Sequence, residues 1–336
     1  MYSVDVIIPS YKPDQKLRKL LELLLRQSYP IQKIIIINTE KSLLDPTLIP
    51  EDTRISVTHI RKEEFDHGAS RNLGVSKSDA ELFLLMTEDA VPKDTTLVEK
   101  LVHVFETDPY KDAAPKNHPR GPIGAVYGRQ LATQESSYDE QYARQFNYPA
   151  QSFVKTQQDI ARLGIKTYFE SNVCCMYRSD IFDRLGGFID HTIFNEDMIY
   201  CGKLLQAGYA SAYEASAEVY HAHHYSGCQQ FHRNFDLGVS QADHPEIFAG
   251  LRSEGEGVKL VLGNAKDLIR HGRLLTVPNL VWKSGCKYLG FRMGRNYRKL
   301  SRRMVLRCTM NPRYWAHTDG SIELHEDGNA CRKNRR

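Results

Sequence analysis

The sequence has no apolar stretch long enough to cross a membrane: runs such as residues 34–37 and 23–25 fall far short of the roughly 18 residues that a spanning helix needs. Residues 1–5 contain no basic segment followed by an apolar one, so we expect no signal peptide. The seven cysteines include no C-x-x-C pair. An odd number without that spacing indicates reduced thiols in a cytosolic protein rather than a disulfide or zinc framework.

Three common nucleotide-binding and catalytic motifs are also missing. No G-x-x-x-x-G-K-[ST] loop and no G-x-G-x-x-G fingerprint occurs, which argues against a P-loop NTPase and a dinucleotide-dependent enzyme. The G-x-S-x-G turn of the common hydrolases is absent too. Charge is nearly balanced, with 45 Lys and Arg against 41 Asp and Glu, so the net charge of +4 by itself indicates no particular partner.

The composition is that of a folded α/β protein. The chain of 336 residues allows one large domain or two modest ones, and 41% hydrophobic residues exclude a wholly disordered chain. Over the first 130 residues, strand-like runs alternate with helix-like stretches, which predicts a parallel sheet in an α/β domain. The predicted strands cover residues 4–8, 33–38, 55–60, 82–86 and 123–127, and the predicted helices cover residues 17–25, 67–76, about 95–106 and 198–206.

Polar side chains follow three of these strands, at the edge where open α/β sheets bind ligands. The carboxylates of Glu88 and Asp89, after the fourth predicted strand, could hold a hard divalent cation that binds a diphosphate. They could equally cap the loop and helix that follow. The other strand-end groups are Pro9, Ser10 and Tyr11 after the first strand and Asn38, Thr39 and Glu40 after the second.

Two further groups of titratable residues come later in the chain. Glu196 and Asp197 begin an apolar helix, where one carboxylate could act as a general base for an incoming hydroxyl. Acidic residues are also common at helix N-termini because of the helix dipole alone. His221, His223 and His224 follow a predicted strand, and three histidines within four residues favour a metal ligand over a purely structural role.

These motifs, in this order, resemble the family 2 glycosyltransferases with the GT-A fold, and most of all the bacterial rhamnosyltransferases that build cell-surface polysaccharides. The resemblance implies an α/β, Rossmann-like nucleotide-diphospho-sugar transferase fold. The matching stretches span about three quarters of the chain. They are VDVIIPSY at 4–11, IIIINTE at 34–40, EFDHGASRNLG at 64–74, FLLMTEDAVP at 83–92, SNVCCMYRSDIFDRLGGF at 171–188, IFNEDMIYCGKLLQAGY at 193–209 and VYHAHHYSGCQQFHRNFDLG at 219–238.

The resemblance implies a role for each matching residue. Asp197 matches the catalytic base, with Glu196 beside it to orient the base or the acceptor. Asp89 matches the last position of the D-x-D metal motif. His221 matches the histidine that completes the metal site, with His223 as second choice. The implied cofactor is Mg²⁺ or Mn²⁺. The implied donor-nucleotide site comprises Pro9, Ser10, Tyr11, Thr39, Glu40, His67, Arg71 and Glu88, and the implied diphosphate and acceptor residues are Gln230, Arg233 and His223.

Two departures from the family pattern affect these expectations. Thr87 occupies the first aspartate position of D-x-D, so only Asp89 of that motif can bind the metal, and we expect modest metal affinity supported by the donor phosphates. Asn38, Thr39 and Glu40 stand where many relatives have an Asp-Asp-x-Ser element that binds uracil and ribose. This difference weakens the case for a UDP-sugar and fits a dTDP-sugar, which has no ribose 2′-hydroxyl.

The implied activity is inverting, metal-dependent transfer of L-rhamnose from dTDP-L-rhamnose to a polyprenyl-diphosphate-linked glycan in the biosynthesis of a polysaccharide, cell wall or capsule. Two alternatives stay open. One is a UDP-hexose or UDP-N-acetylhexosamine donor, and the other is a catalytically silent partner in a glycan-assembly complex. The presence of Asp89 and Asp197 argues against a silent partner, whereas Thr87 keeps that possibility open.

The C-terminal region has a charge pattern of its own. Residues 283–313 contain ten basic and no acidic side chains. Apolar residues recur there at helical spacing, which predicts a basic amphipathic helix that binds an anionic membrane surface. The same apolar face could instead pack on the catalytic domain. Few aromatic residues and no recognisable module argue against a nucleic-acid partner. The apolar residues are Trp282, Leu289, Met293, Tyr297, Leu300 and Met304.

The sequence thus predicts three parts. A GT-A catalytic domain covers residues 1–257, with a nucleotide-sugar-binding half over 1–130 and an acceptor and catalytic half over 131–257. A helical, membrane-associating segment covers residues 258–316, and a flexible tail covers 317–336. We expect a cytoplasmic protein that is peripheral at the inner face of the cell membrane.

Overall fold

The computed structural model describes residues 1–111, 120–222, 225–251 and 254–316. The chain divides into two compact units, the first formed by Met1–Asp190 and Glu196–His223 and the second by His191–Asn195 and His224–Arg336. The predicted domain boundaries at residues 257 and 316 stay predictions, and the predicted tail lies outside the described residues. Within the described residues, no helix combines the length and the apolarity required to cross a membrane.

A mixed sheet forms the centre of the first unit. Its strands are β1 (Val4–Tyr11), β2 (Lys33–Thr39), β3 (Ile55–Ile60), β4 (Leu82–Met86), β5 (Val91–Pro92), β6 (Ile123–Leu131), β7 (Phe153–Lys155), β8 (Cys174–Arg178) and β9 (Ala210–Tyr220). The order is β3-β2-β1-β4-β8-β6-β9-β5, with β7 paired to β9.

The direction of the strands decides which residues meet at the edge of the sheet. Strands β1 to β4 pair in parallel where they are neighbours, as the alternating sequence pattern predicts. Strand β8 is antiparallel to both β4 and β6, and β6 is again parallel to β9. The carboxyl ends of β1, β2, β4, β6 and β9 therefore share one edge with the beginning of β8.

Four consecutive isoleucines in β2 show how the sheet supplies a core on both sides. Ile34 and Ile36 pack in one apolar cluster, and Ile35 and Ile37 pack in another. All four are buried, because successive side chains of a strand point to opposite faces and helices cover both faces here. The helices of this unit are α1 (Gln15–Leu24), α2 (His67–Val75), α3 (Leu97–Thr107), α4 (Tyr138–Asn147), α5 (Ile160–Leu163), α6 (Ser179–Arg184) and α7 (Glu196–Gln206).

The observed bounds differ from the predicted ones where the site begins. Helix α7 begins at Glu196, as expected from the two carboxylates that the helix dipole favours in a first turn, two residues before the predicted apolar stretch 198–206. Strand β6 extends to Leu131 rather than ending at residue 127, which brings Gln130 into the sheet edge. Helix α4 was not predicted from the sequence.

Helices make up the second unit: α8 (Gly227–Asp243), α9 (Pro245–Phe248), α10 (Glu254–Arg270), α11 (Val277–Arg295) and α12 (Arg302–Cys308). Helix α11 lies very close to α8. A Cβ added to Gly290 would lie 2.2 Å from the Phe231 carbonyl oxygen, and one added to Gly294 would lie 2.0 Å from that of Phe235. Only glycine permits this approach of two backbones.

The predicted single amphipathic helix in this region is wrong. Helix α11 ends at Arg295, so the apolar residues that follow do not continue its face. Trp282 is 63% exposed and Leu289 is 57% exposed, whereas Tyr297 is completely buried. The apolar side chains that sequence spacing placed on one stripe are therefore divided between the core of this unit and its surface.

Candidate active site

The ends of β1 and β4 are joined through Glu88. Its Oε2 accepts hydrogen bonds from the Ser10 hydroxyl at 2.7 Å and from the Tyr11 N–H at 3.0 Å. Burial raises the pKa of Glu88 to about 7. Pro9 precedes this contact within β1, opposite Ile37 of β2. Glu88 thus fixes the position of two residues that sequence reasoning assigned to the nucleotide.

The end of β2 is held by contacts within the protein. The Asn38 amide donates to the Glu40 carbonyl oxygen at 3.1 Å and lies 3.1 Å from His59 Nδ1. Glu40 Oε1 accepts a hydrogen bond from the Lys62 N–H at 2.5 Å, and Thr39 is buried. The Asn38 amide nitrogen and the Glu40 carboxylate thus bind local backbone groups, while the buried Asn38 Oδ1 has no hydrogen-bond partner among the described residues. An Asp-Asp-x-Ser element would present two carboxylates here.

Helix α2 places Arg71 in the interior of the first unit. Asp66 caps the helix, because its side chain accepts from the N–H groups of Gly68 and Ala69 at 2.9 Å. Gly68 lies so close to the Ile189 carbonyl oxygen that an added Cβ would be 1.8 Å from it. One turn into the helix, Arg71 donates to the His67 carbonyl oxygen at 2.7 Å, and its side chain is only 9% exposed.

Arg71 reaches the carboxylate pair at the start of α7. Its Nη1 lies 3.2 Å from Glu196 Oε1, which also accepts a hydrogen bond from the Asn172 amide at 3.1 Å. The backbone N–H of Asn172 donates to Asp197 Oδ2 at 3.3 Å. The Tyr177 hydroxyl holds the Asn172 side chain from the other side by donating to its Oδ1 at 2.8 Å. Asn172 thus contacts both carboxylates.

The environment separates the pKa values of the two carboxyl groups. Burial acts to raise the pKa of Glu196, but the charges of Arg71 and His67 and the Asn172 hydrogen bond lower it below its usual value. Burial, and then the negative charge of Glu196, raise the pKa of Asp197 to about 7. A group that titrates near neutral pH is suited to general-base catalysis, and paired groups with separated pKa values are typical of acid–base sites.

Asp89 and His221 meet at the same edge of the sheet. His221 Nε2 lies 3.6 Å from Asp89 Oδ1, too far for a hydrogen bond. On the other side of the ring, His221 Nδ1 lies 2.9 Å from Gln130 Oε1 and 3.2 Å from Arg144 Nη2. Arg144 also donates to Gln130 Oε1.

The Gln130 contact favours one tautomer of His221. Arginine has only donors, so the Gln130 atom facing Arg144 must be the carbonyl oxygen. The 2.9 Å contact to that oxygen favours a proton on His221 Nδ1, whereas the longer contact of 3.2 Å to Arg144 Nη2, a donor, favours a lone pair there. With the proton on Nδ1, as the shorter contact favours, the lone pair of Nε2 points toward Asp89.

Comparison with known proteins identifies the family. The profile described as Glycosyl transferase family 2 matches residues 5–186. The O-antigen chain rhamnosyltransferase RfbN of Salmonella typhimurium is 34% identical over 93% of this chain and 96% of its own length. The O-antigen chain rhamnosyltransferase WbaN of Salmonella anatum is 31% identical over 94% of this chain and 96% of its own length. The chain belongs to glycosyl transferase family 2.

A solved structure agrees with this assignment at the level of the fold. The mannosyltransferase PcManGT from Pyrobaculum calidifontis, determined in complex with GDP-Man and Mn²⁺, has a TM-score of 0.58 and 14% identity. The comparison covers 88% of this chain and 87% of that chain. The predicted GT-A fold and the predicted glycosyltransferase activity are thereby confirmed.

The donor atoms at the sheet edge fit a divalent metal of the kind that the family implies. The described residues contain no group of three or more His, Cys, Asp or Glu side chains that could hold a metal ion. Asp89 and His221 offer one carboxylate and one imidazole nitrogen whose lone pair faces that carboxylate. Mg²⁺ is commonly bound by one or two protein carboxylates, with substrate phosphates and water as its remaining ligands. His223 lies outside the described residues.

A cavity of about 500 Å³ opens beside this pair of residues. Gln130 and Arg144, which contact His221, form part of its wall. The wall is rich in amide and phenol groups, which suit hydrogen bonding and ring stacking with a sugar. Its residues are Arg129, Gln130, Leu131, Ala132, Thr133, Gln134, Gln141, Arg144, Gln145, Tyr148 and Tyr220.

Gln230 and Arg233 belong to the second unit, on α8. The Arg233 guanidinium lies 4.5 Å from the centre of the Phe194 ring and 5.6 Å from that of Tyr225. The Gln230 carbonyl oxygen accepts a hydrogen bond from the Asn234 amide at 2.7 Å. Their roles toward the diphosphate and acceptor stay predictions.

The structure thus brings predicted residues together in three groups: Ser10, Tyr11 and Glu88; His67, Arg71, Glu196 and Asp197; Asp89 and His221. Sequence reasoning missed Gln130, Arg144 and Asn172. Asn172 was within a matched motif but was given no role. Gln130 gave no signal because strand β6 was predicted to end before it, and Arg144 lies on the unpredicted helix α4.

Proposed function

We propose that this family 2 glycosyltransferase transfers L-rhamnose from dTDP-L-rhamnose, with inversion, to a lipid-linked glycan of a cell-surface polysaccharide. The observation that carries the proposal is the similarity to two O-antigen chain rhamnosyltransferases over more than nine-tenths of the chain. The end of β2 supports a deoxythymidine donor, because it lacks the Asp-Asp-x-Ser element that binds uracil and ribose in many relatives, and its Glu40 carboxylate accepts from the Lys62 N–H.

Asp197 is the proposed catalytic base. It removes the proton from the acceptor hydroxyl as that oxygen attacks C1 of the sugar and the bond from C1 to the diphosphate breaks. With a pKa raised to about 7, Asp197 is a stronger base than an ordinary aspartate and is still substantially ionised at neutral pH. A positioned base of this kind contributes about 10²–10⁴-fold to the rate.

Glu196 and Asn172 set the state of this base. Glu196 is kept ionised by Arg71, and its negative charge disfavours ionisation of Asp197 and so strengthens the base. The Asn172 N–H orients the Asp197 carboxylate through Oδ2. Glu196 is therefore a positioning residue rather than a second base.

Asp89 and His221 would hold the divalent cation, Mg²⁺ or Mn²⁺. When bound there, the cation supplies positive charge that stabilises the departing nucleoside diphosphate. By accepting a hydrogen bond from Nδ1, Gln130 favours the tautomer in which the Nε2 lone pair of His221 faces Asp89. Thr87, in place of an aspartate, leaves only one carboxylate of this motif for the cation, so we expect modest affinity in the absence of donor.

The cavity beside His221 is the proposed site for the acceptor sugar. Two hydrogen bonds connect its wall to the base through neighbouring residues of the chain. Gln130 Nε2 donates to Ser171 Oγ at 2.9 Å, and the backbone N–H of the next residue, Asn172, donates to Asp197. The cavity wall is thus connected both to the proposed metal ligand and to the proposed base. The acceptor's lipid places the working enzyme at the inner face of the cell membrane, as a peripheral protein.

A donor panel tests the proposal. Purified protein is incubated with dTDP-L-rhamnose, UDP-glucose, UDP-galactose, UDP-N-acetylglucosamine or GDP-mannose, and release of the nucleoside diphosphate is measured with Mg²⁺, with Mn²⁺ and with EDTA. We expect turnover with dTDP-L-rhamnose that requires a divalent cation. Turnover of a UDP-sugar in preference to it would contradict the proposed donor. Full activity in EDTA would contradict the metal site.

A further inference from the structure

Exposed apolar side chains are concentrated in one part of the second unit. Fifteen large hydrophobic side chains are exposed among the described residues, and nine of them lie between residues 258 and 289. This segment consists of α10, a short turn at Leu274–Thr276 and α11, and we call it the helical hairpin. Such a concentration marks an interaction surface, because soluble surfaces normally expose large apolar groups singly.

On α11, the exposed apolar side chains lie away from the glycines that contact α8. Gly290 and Gly294 pack against α8, so that side of the helix is already covered. Val281 and Tyr288 lie on the opposite side, and Trp282 and Leu289 flank them, with the Trp282 indole beside Gly227 of α8. These four side chains are 53 to 63% exposed.

Helix α10 and the turn carry further exposed apolar side chains. Val258, Leu262 and Ile269 follow one another at positions i, i+4 and i+11 of α10, and all three are more than half exposed. In the turn, Leu274 is 61% exposed and Leu275 is 96% exposed. Exposed leucine side chains form no hydrogen bonds with water. Transfer of these two side chains into an apolar medium would therefore be favourable.

The charges around this surface identify its partner. Helix α10 contains three acidic and three basic residues, but from residue 268 to residue 316 the sequence contains twelve basic and no acidic residues. Lys266, Arg270 and Arg273 are exposed near the turn, and Arg292 is exposed on α11. A second copy of the chain, docked symmetrically here, would bring two such basic surfaces together. A bilayer that contains anionic lipids offers negative headgroups to these side chains and an apolar interior to the leucines.

We propose that the helical hairpin docks on an anionic membrane, with Leu274 and Leu275 inserted at the level of the upper acyl chains and with Trp282 at the interface. The inference deepens the proposed function, since it rests on the proposal of a lipid-linked acceptor and assigns the membrane contact to α10, the turn and α11. It differs from the basic helix expected over residues 283–313 because the inserted groups lie before that segment.

Vesicle flotation tests the docking. Wild-type protein is floated with vesicles of phosphatidylcholine alone or mixed with phosphatidylglycerol, at low and high salt. We expect flotation with the anionic vesicles at low salt, weakened by high salt because the charges are screened. Absence of flotation with anionic vesicles at low salt would overturn the proposal.

Two pairs of substitutions separate the apolar and electrostatic contributions. We expect Leu274→Glu with Leu275→Glu, and separately Lys266→Glu with Arg270→Glu, to weaken vesicle binding at least tenfold. Leu43→Glu is the control, because Leu43 is an exposed leucine of the first unit, and we expect it to bind as wild type does. Unchanged binding by the double leucine variant would overturn the assignment of the turn. If that variant instead converted a wild-type dimer into a monomer in light scattering, with vesicle binding intact, the surface would join two copies.

Tryptophan fluorescence gives an independent reading, because the chain has only two tryptophans. Trp282 is 63% exposed, whereas Trp315 is 1% exposed. We expect brominated lipids in anionic vesicles to quench the wild-type protein, and Trp282→Phe to lose that quenching. Equal quenching in both proteins would contradict interfacial docking of α11. Stabilisation by dTDP-L-rhamnose is measured on the same variants: if it persists while docking fails, the docking inference alone is wrong, and if it is absent from wild type, the proposed donor is wrong.

Discussion

Arg71 Nη1 lies 3.2 Å from Glu196 Oε1, and both side chains are less than one-tenth exposed. This buried ion pair keeps a negative charge next to Asp197, the neighbouring residue in the chain. The two carboxyl groups therefore differ in pKa although they occupy consecutive positions. The ion pair thus acts on the proposed reaction through the base. This effect requires no contact between the ion pair and the substrate.

Glu196→Gln should move the pH dependence of catalysis. The base must be deprotonated, so activity rises as the pH increases through the Asp197 pKa of about 7. Removing the Glu196 charge removes a cause of that raised pKa and leaves Arg71 to favour the ionised form, so the rise should occur at lower pH. The measurement is kcat/KM for dTDP release against pH. Glu22→Gln, at an exposed position of α1, is the control, and an unshifted profile would mean that another group controls the rise.

Asp197→Asn should slow transfer strongly and leave donor binding intact. An amide cannot accept the acceptor proton at neutral pH, so we expect the rate to fall by about 10²–10⁴-fold. Binding is followed by the thermal shift that dTDP-L-rhamnose produces, and Asp183→Asn on the exposed face of α6 is the control. Full turnover by Asp197→Asn would show that a different group removes the proton.

Gln130→Leu should weaken Mn²⁺ binding about 10–100-fold, as expected when a partner of a metal-binding histidine is lost. Leucine cannot accept a hydrogen bond from His221 Nδ1, so this substitution removes the contact that favours a proton on Nδ1. Mn²⁺ affinity is measured by electron paramagnetic resonance, and the tautomer by ¹⁵N chemical shifts of labelled histidine, with His221→Asn for assignment.

Gln130→Glu preserves an acceptor and should retain the tautomer. Gln134→Leu, at an exposed position of the same cavity, should bind Mn²⁺ as wild type does. Equal affinity in Gln130→Leu and wild type would remove Gln130 from the metal site.

Gly294→Ala should destabilise the second unit, whereas Gly285→Ala should not. An added Cβ at Gly294 meets the Phe235 carbonyl oxygen, and forcing α11 away from α8 costs about 1–3 kcal/mol. Gly285 faces open space within the same helix, where alanine is more favourable by about 0.5–1 kcal/mol. Urea unfolding followed by tryptophan fluorescence measures the change, because both tryptophans belong to this unit. Similar midpoints for the two variants would contradict the proposed contact.

The sequence predicted the strands of the first unit well where hydrophobic runs are bounded by polar residues. The bounds of β3 and β4 agree with the prediction, and so does the position of Asp89 directly after β4. The reversed direction of β8 could not be predicted, because a buried apolar strand looks the same in sequence whether it runs parallel or antiparallel. Its neighbours alone determine that direction.

In the candidate active site, the sequence pointed to the charged residues but not to the amide side chains. Asp197 and Arg71 were assigned roles because they lie in short motifs that occur here in the same order as in the family. Gln130 acts through hydrogen bonds to His221, and an uncharged residue in a strand has no distinctive pattern. In the second unit, spacing alone could not show that α11 stops at Arg295, since no proline or glycine follows directly.

The antiparallel orientation of β8 has a consequence for how this enzyme can change. Asp89, Gln130, Asn172 and His221 come from the ends of β4, β6 and β9 and from just before β8, so the pairing of four adjacent strands fixes their mutual positions. The connection from β6 to β8, which contains α4 and most of the cavity wall, lies outside that pairing apart from β7. With the cavity as the proposed acceptor site, we expect substitutions in this connection, other than at Arg144, which contacts Gln130 and His221, to alter which sugar is accepted without displacing those groups. Acceptor choice and catalysis could then evolve separately.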